Sequence, residues 1–140
     1  MYYFGYGSNM NHGQMRKRCP EARYVKRVFL KNYTFVYDGY SNRRKGAVGN
    51  IVKSDGQIVW GGLFEIGEKC RDELDKCENY PIDYDRNCFN VTDDSESEFR
   101  AIVYLREPRL LGEPSLEYKK TIEKGAEDCS LPADYIKKYL

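Results

Sequence analysis

The chain has 140 residues, 41% of them hydrophobic, which is enough for one folded domain spanning residues 1–140 without disulfide staples. Its 23 basic and 22 acidic side chains leave a net charge of +1, so no global field draws it to nucleic acid or to an anionic membrane. We therefore expect neither partner.

Cysteine and histidine usage argues against a metal site. The five cysteines form no Cys-x-x-Cys pair, and their odd number cannot close entirely into intramolecular bridges, which favours a reducing compartment. One histidine and scattered cysteines give no zinc spacing, so we expect no metal and no cofactor. The chain start lacks a signal-peptide pattern and no apolar stretch reaches membrane-spanning length. These features predict a soluble, cytoplasmic protein.

The first predicted elements are a strand, a turn and a short helix. Residues 2–6 have the aromatic bulk of a buried strand, Gly7-Ser8-Asn9 is a turn, and residues 11–18 suit a helix. This succession places several backbone N–H groups around one concave spot, which suits a carboxylate, a phosphate or a developing oxyanion. An edge strand followed by an ordinary turn is the alternative.

The next part of the chain, after Pro20, is predicted to be mainly strands. Asn32 is expected to turn the chain between the first two strands, and Ser54-Asp55-Gly56 to form a hairpin turn. The paired Gly61 and Gly62 predict a bulge or bend that helps a sheet curl into a barrel. The basic runs at 16–18 and 43–45 are expected to be solvated. The predicted strands are 23–30, 33–40, 47–53 and 57–66.

The remaining elements alternate helices and strands. Cys70, Leu74 and Cys77 fall at helical spacing in a helix that must end near Asn79, because Pro81 follows. Strands are predicted over 86–92 and 99–105, and helices from the Ser115 cap to about 124 and from 132 to 140. The fold class is therefore α+β, with six or so mostly antiparallel strands and three or four helices.

Residues 4–10 read F-G-Y-G-S-N-M and resemble the F-A-Y-G-S-N-L signature of the γ-glutamylcyclotransferase family. Three further stretches resemble that family in the same order. They are Val59-Trp60-Gly61, then Leu74-Asp75 with Glu78, and then Tyr118-Lys119-Lys120 with Gly125-Ala126, Leu131-Pro132 and Tyr135. The resemblance implies a small closed mixed barrel with flanking helices. It also implies an enzyme that cyclises γ-glutamyl amino acids to 5-oxoproline without metal or cofactor.

The resemblance also implies which residues form the site. Glu78 occupies the place of the family's catalytic glutamate and would act as general base and then general acid. From the residues alone, an exposed helix-end glutamate is the alternative for Glu78 and a core tyrosine is the alternative for Tyr118. The implied substrate-binding residues are Tyr3, Phe4, Gly5, Tyr6, Gly7, Ser8, Asn9 and Tyr118.

The sequence departs from the family pattern at two places. Gly5 stands where alanine is usual, and Asn79-Tyr80-Pro81 follows Glu78 where the family continues with glycine, so the leaving group stays open. Three other functions stay open as well: a cyclotransferase or acyltransferase for another γ-glutamyl amine, a non-catalytic amino-acid or peptide-binding module, and a hydrolase that pairs Ser8 with His12. The expected partner is a small-molecule γ-glutamyl substrate, and the 14% aromatic content leaves apolar surface for a homodimer.

Overall fold

Five strands close into a barrel in the computed structural model, which describes residues 1–140. Around the barrel the order is β1-β3-β2-β4-β5; β1 pairs with β5 in parallel and all other pairs are antiparallel. The predicted α+β class and mostly antiparallel barrel are confirmed, with five strands where six or so were expected. The strands are β1 (Tyr2–Gly5), β2 (Arg23–Ser41), β3 (Gly46–Glu65), β4 (Asp85–Thr92) and β5 (Glu98–Leu105).

Four helices and one turn of 3-10 helix surround the barrel. Asn11 caps α1 by accepting a hydrogen bond from the Gln14 N–H at 3.0 Å, and Ser115 caps α3 through the Tyr118 N–H at 3.2 Å, as predicted for Ser115. No helix combines the length and the apolar character needed to cross a bilayer. The 3-10 turn is Ser8–Met10, and the helices are α1 (His12–Arg18), α2 (Glu68–Cys77), α3 (Leu116–Asp128) and α4 (Ala133–Tyr139).

The turns predicted at Asn32 and at Ser54-Asp55-Gly56 are wrong, because both segments belong to one irregularity in the β2–β3 ladder. Lys31 pairs with Ile58 and Tyr33 with Lys53, so Asn32 alone faces residues 54–57. The Gly56 N–H donates to Asn32 Oδ1 at 3.0 Å, and both residues have positive φ. The turn-forming residues therefore build a bulge inside two long strands.

Of the bulge or bend predicted at Gly61 and Gly62, the bulge is wrong, since the register runs through both residues without a shift. A Cβ on Gly61 would lie 2.4 Å from the Gly5 carbonyl oxygen and 2.6 Å from Phe4 Cε1. Glycine is required here because β1 crosses too close to β3 for any side chain.

Two apolar clusters hold the structure together. The larger fills the barrel and the space beneath α3, with Phe4, Leu63 and Ile122 fully buried. The smaller lies beneath α1 and α2, where Cys19 and Cys70 form a disulfide with their Cα atoms 5.3 Å apart. The cysteine count did not predict this bond. The free cysteines are Cys77, Cys88 and Cys129.

The first turn of the chain packs directly on α3 at Gly125. A Cβ on Gly125 would lie 2.4 Å from the Asn11 backbone nitrogen and 2.7 Å from the Met10 carbonyl carbon. Nearby, Asn11 Nδ2 donates to the Thr121 carbonyl at 3.3 Å, and the Cys129 thiol donates to the Met10 carbonyl at 3.5 Å. The helix therefore fixes where the segment 7–11 sits.

Gly125→Ala should lower the free energy of unfolding by about 1–3 kcal/mol, the usual range for overpacking. Helix propensity alone would predict a gain of about 1 kcal/mol, so the sign of the change is diagnostic. Chemical denaturation measures it. Gly13→Ala in α1 is the control, since its Cβ would meet no backbone atom and only the Asn11 side-chain oxygen that caps the helix, at 3.2 Å, so any loss should be smaller than for Gly125→Ala. Stabilisation by Gly125→Ala would contradict the packing account.

Candidate active site

A cavity of about 390 Å³ opens beside the barrel, within the size range of small-molecule sites. Six parts of the chain line it: the end of β1 with the turn after it, the end of α1, the β2–β3 loop with the adjoining strand ends, the end of α2 with the segment that follows, the end of β5 with the segment that follows, and the first turn of α3. Seven of the residues expected at the site meet here. They are Tyr3, Tyr6, Gly7, Ser8, Asn9, Glu78 and Tyr118.

Phe4 and Gly5 lie outside the cavity lining. Phe4 is fully buried in the larger apolar cluster, where it packs against Tyr6 with ring centroids 6.2 Å apart. Gly5 pairs with Gly62 in the sheet. Both residues therefore support the turn from beneath, and neither presents a side chain to the cavity.

Asn9 ties the turn together through its side chain. Its Nδ2 donates to the Tyr3 hydroxyl at 3.0 Å, while its Oδ1 accepts from Gln14 Nε2 at 2.9 Å and from Arg18 Nη1 at 3.0 Å. Asn9 is buried. Because protein partners fill both acceptor positions and one of the two donor positions of this amide, its side chain mainly holds the turn in place.

The backbone N–H groups of the turn have no acceptor within the protein. The N–H groups of Gly7, Ser8 and Asn9 donate to no protein group, as expected where a helical turn begins. A Cβ on Gly7 would meet only the Tyr118 hydroxyl, at 4.0 Å. Gly7 has a φ of −119°, so a left-handed backbone is not the reason for glycine at this position. The missing side chain instead leaves the space beside the turn open.

The Ser8 hydroxyl is already engaged. It accepts from Gln14 Nε2 at 2.8 Å and lies 3.4 Å from Arg44 Nη2. The His12 ring lies elsewhere, 4.7 Å from the Tyr24 ring and 3.8 Å from Cys129 Sγ, and it does not line the cavity. No Ser8–His12 pair forms, so the geometry gives the hydrolase alternative no base.

Glu78 caps the C-terminus of α2 and brings a half-buried carboxylate to the cavity. Its backbone N–H donates to the Leu74 carbonyl at 2.9 Å, but its carboxylate accepts no hydrogen bond and forms no ion pair within the protein. Burial raises the pKa of Glu78 above its ordinary value, and the opposing attraction of Arg18, Arg43 and other arginines is smaller. A glutamate with a raised pKa in a cavity has the properties of a general base or acid.

Asp75, three residues before Glu78, is held tightly by protein partners. Its carboxylate forms an ion pair with Arg86 and accepts a hydrogen bond from the Tyr104 hydroxyl at 2.6 Å. Asp83 lines the cavity but is exposed and accepts from Asn79 Nδ2 at 3.1 Å. Glu78 is therefore the one carboxylate of the cavity without a protein partner.

Two tyrosines clamp the backbone of Gly49 in the cavity wall. The Tyr118 hydroxyl accepts from the Gly49 N–H at 2.9 Å, and the Tyr84 hydroxyl donates to the Gly49 carbonyl at 2.8 Å. Burial raises the pKa of Tyr118 to about 12, so the phenol stays protonated. Since that hydroxyl only accepts from Gly49, its proton is free to be donated into the cavity.

Five arginines line the cavity, and sequence reasoning placed none of them at the site. Arg18, Arg43 and Arg44 come from the two basic runs that were expected to be solvated, and Arg106 and Arg109 follow β5. Arg44 Nη2 donates to Gln14 Oε1 at 2.9 Å, and its guanidinium lies 5.0 Å from the centre of the Tyr118 ring. The available signal was the four-residue spacing of Gln14 and Arg18, which puts both on one face of α1.

Arg106 differs from the others because it is buried in an ion pair. Its Nη1 lies 2.7 Å from Asp38 Oδ1, and Asn50 Nδ2 and the Arg109 N–H donate to the second oxygen at 3.1 and 3.0 Å. Both partners are almost fully buried. The pair therefore neutralises its own charge and anchors the chain after β5 against β2.

Comparisons with known proteins agree on one group. The model of the AIG2-like family matches residues 58–139. Gamma-glutamylcyclotransferase of Mus musculus is 28% identical over 141 residues, which cover 97% of this chain and 75% of the mouse protein. The Homo sapiens protein of the same name is 26% identical with the same coverage. A solved gamma-glutamyl cyclotransferase superposes with a TM-score of 0.93 at 26% identity, covering 99% of this chain and 85% of that one.

Replacing Glu78 by glutamine should stabilise the fold at neutral pH. Because burial raises the pKa of Glu78 in the folded state, ionisation disfavours folding. The penalty is absent below the ordinary glutamate pKa, grows as the pH rises towards the raised pKa, and is complete above it. Denaturation of both proteins between about pH 4 and pH 8 measures this dependence. Glu78→Gln should be the more stable protein at the upper end, and the difference should vanish at the lower end. A difference that is independent of pH would contradict the assignment.

Proposed function

The chain belongs to the AIG2-like family, and from this membership and the cavity we propose that it is a γ-glutamylcyclotransferase. The reaction converts a γ-glutamyl amino acid into 5-oxoproline and a free amino acid. The relatives of that name and the closely superposing structure support the activity. The roles given below to single residues rest on the geometry of the cavity.

The observation that carries the proposal is the unpartnered carboxylate of Glu78. It lies in the same cavity as the open backbone of residues 7–9. A glutamate paired with an arginine would be held in its ionised form, and Glu78 has no such ion pair, unlike Asp75 with Arg86. Burial without a partner instead brings the protonated and ionised forms closer together near neutral pH, which a proton shuttle needs.

In the proposed reaction the nucleophile belongs to the substrate. The α-ammonium group first loses one proton to solvent, which the released amine regains at the end. The neutral nitrogen then attacks the γ-carbonyl carbon to form the ring C–N bond, and Glu78 takes the second proton that this nitrogen sheds. The tetrahedral intermediate then collapses, the bond to the leaving nitrogen breaks, and Glu78 returns the proton to that nitrogen. One carboxyl group thus serves first as base and then as acid, and no proton is gained or lost overall.

The turn between β1 and α1 is the proposed seat of the developing oxyanion. The N–H groups of Gly7, Ser8 and Asn9 are free of protein partners, and fixed N–H donors stabilise charge that develops on a carbonyl oxygen. The Tyr118 hydroxyl is a further donor, because its own acceptor site is filled by Gly49. Tyr3 and Tyr6 line the wall behind the turn, and the Tyr6 hydroxyl is engaged by the Tyr104 carbonyl at 2.7 Å.

Ring closure is intramolecular, so the protein need not supply a nucleophile. Its main task is to hold the γ-glutamyl chain bent, with the amine close to the carbonyl carbon. Arg18 and Arg44 border the turn and offer guanidinium groups to the carboxylates of the substrate. Intramolecular ring closure explains why the site has many hydrogen-bond donors and one free carboxylate. It also explains why the Ser8 hydroxyl can be occupied by a hydrogen bond from Gln14.

A cytoplasmic location, a homodimeric state and a role in glutathione turnover belong to the same proposal. Three cysteines without a disulfide support a reducing compartment, whereas the Cys19–Cys70 disulfide favours an oxidising one. Exposed leucines support an interface between copies. They are Leu110, Leu111 and Leu116.

Glu78→Gln should reduce the release of 5-oxoproline by roughly a hundredfold to ten-thousandfold, the range for loss of general acid–base catalysis. Glutamine keeps the shape of glutamate but accepts no proton at neutral pH. The measurement is the turnover of a γ-glutamyl dipeptide, with 5-oxoproline and the free amino acid quantified together. Substrate binding should persist in the variant, as measured by calorimetry.

Two aspartates supply the controls. Asp85→Asn, at the exposed start of β4, should leave turnover unchanged. Asp83→Asn removes the other carboxylate of the cavity and should have at most a small effect, since Asp83 is exposed. Near-normal turnover in Glu78→Gln together with a large loss in Asp83→Asn would show that the wrong carboxylate was chosen.

A further inference from the structure

The cavity carries more positive charge than a γ-glutamyl amino acid with a neutral leaving residue would balance. Its lining holds five arginines, no lysine, and only two acids, Glu78 and Asp83. One arginine, Arg106, is neutralised by Asp38 from outside the lining. Four guanidinium groups therefore face two carboxylates, and the cavity keeps two uncompensated positive charges when both acids are ionised.

These four arginines divide into an inner pair and an outer pair. Arg18 and Arg44 are half-buried and hydrogen-bond to side chains of the turn and of α1, so they border the proposed γ-glutamyl position. Arg43 and Arg109 are exposed, and their side chains make no hydrogen bond or ion pair within the protein. The outer pair is thus available to a ligand that extends from the inner position.

Both outer arginines are placed by surrounding structure. Arg43 lies in the β2–β3 loop, which is closed by a Lys45 N–H to Ser41 carbonyl bond of 2.7 Å and tied to α1 through Arg44. Its charge acts on the pKa of Glu78, so it lies within electrostatic reach of the reaction centre.

Arg109 is positioned from the other side of the opening. Its backbone N–H donates to the buried Asp38, and its side chain runs over Gly39, where a Cβ would lie 3.1 Å from Arg109 Cδ. Gly39 has a φ of +66°, so the backbone and the missing side chain together leave room for the arginine.

We propose that the outer half of the cavity selects a leaving amino acid with an acidic side chain, glutamate or aspartate, through Arg43 and Arg109. This inference rests on the proposed function. A γ-glutamyl amino acid with a neutral leaving side chain carries two carboxylates and one ammonium group, hence one net negative charge. An acidic leaving residue adds a second negative charge and matches the two uncompensated positive charges of the cavity. A leaving amine without a carboxylate gives the poorest match to these two positive charges.

The test uses pairs of substrates with the same shape and different charge. γ-Glutamyl-glutamate is compared with γ-glutamyl-glutamine, and γ-glutamyl-aspartate with γ-glutamyl-asparagine, by kcat/KM for 5-oxoproline release. The acidic member of each pair should be favoured by about three- to tenfold, the size of one or two solvent-accessible charge interactions. The preference should shrink as salt is added, because exposed charges are screened.

Variants that remove one charge then test whether Arg43 and Arg109 cause the preference for an acidic leaving residue. Arg43→Gln and Arg109→Gln should each lower the acid-to-amide ratio of kcat/KM, and the double variant should bring it close to one. Arg16→Gln is the matched control, since Arg16 is exposed on α1 and lies outside the cavity lining. It removes the same charge and should leave the ratio unchanged.

The outcomes separate this inference from the function on which it rests. Release of 5-oxoproline from none of the four dipeptides would overturn the proposed function and the inference with it. Release without an acidic preference would overturn the inference alone. An acidic preference that survives in the double variant, or that falls equally in Arg16→Gln, would also overturn it.

Discussion

The contact between α3 and the backbone of Met10 and Asn11 fixes the geometry on which the cavity depends. Gly125 lets the helix approach to a distance that no other residue permits. The same helix carries Tyr118 in its first turn. The Tyr118 hydroxyl accepts a hydrogen bond from the Gly49 N–H and lies close to Gly7. One packed element therefore sets both the turn that offers free N–H groups and the wall opposite it. A site that must bend its substrate needs this kind of rigid support.

Electrostatics gives the cavity its second property. Burial raises the pKa of Glu78, and the surrounding arginines pull it back without cancelling the shift. On the proposed mechanism, a substrate that brings carboxylates to Arg18 and Arg44 would offset part of that pull, and the pKa of Glu78 would rise further. Substrate binding would then improve the proton acceptor at the moment when it is needed. The arrangement depends on Glu78 having no fixed partner, in contrast to the firmly paired Asp75.

Sequence reasoning could predict the features that are local, and it missed those that arise from long-range contacts. The barrel class, the strand-turn-helix start and the end of α2 follow from periodicity, turn residues and family resemblance. Asn32 and Gly56 carry turn chemistry that the structure uses in a bulge, because strand pairing beyond the local window decides between the two. Arg43 and Arg44 read as a solvated run, since their approach to Glu78 depends on how two loops meet. The Asp75–Arg86 pair is likewise a tertiary contact without a local signature.

In the proposed reaction the substrate's own amine, and not water, expels the leaving group. The most direct measurement is the fate of solvent oxygen when a γ-glutamyl dipeptide is turned over in water labelled with heavy oxygen and the products are analysed by mass spectrometry. Attack by the amine should give unlabelled 5-oxoproline in equal amount to the released amino acid, with no glutamate formed. Glutamate carrying the heavy isotope would show that the cavity activates water, and would contradict the proposed mechanism.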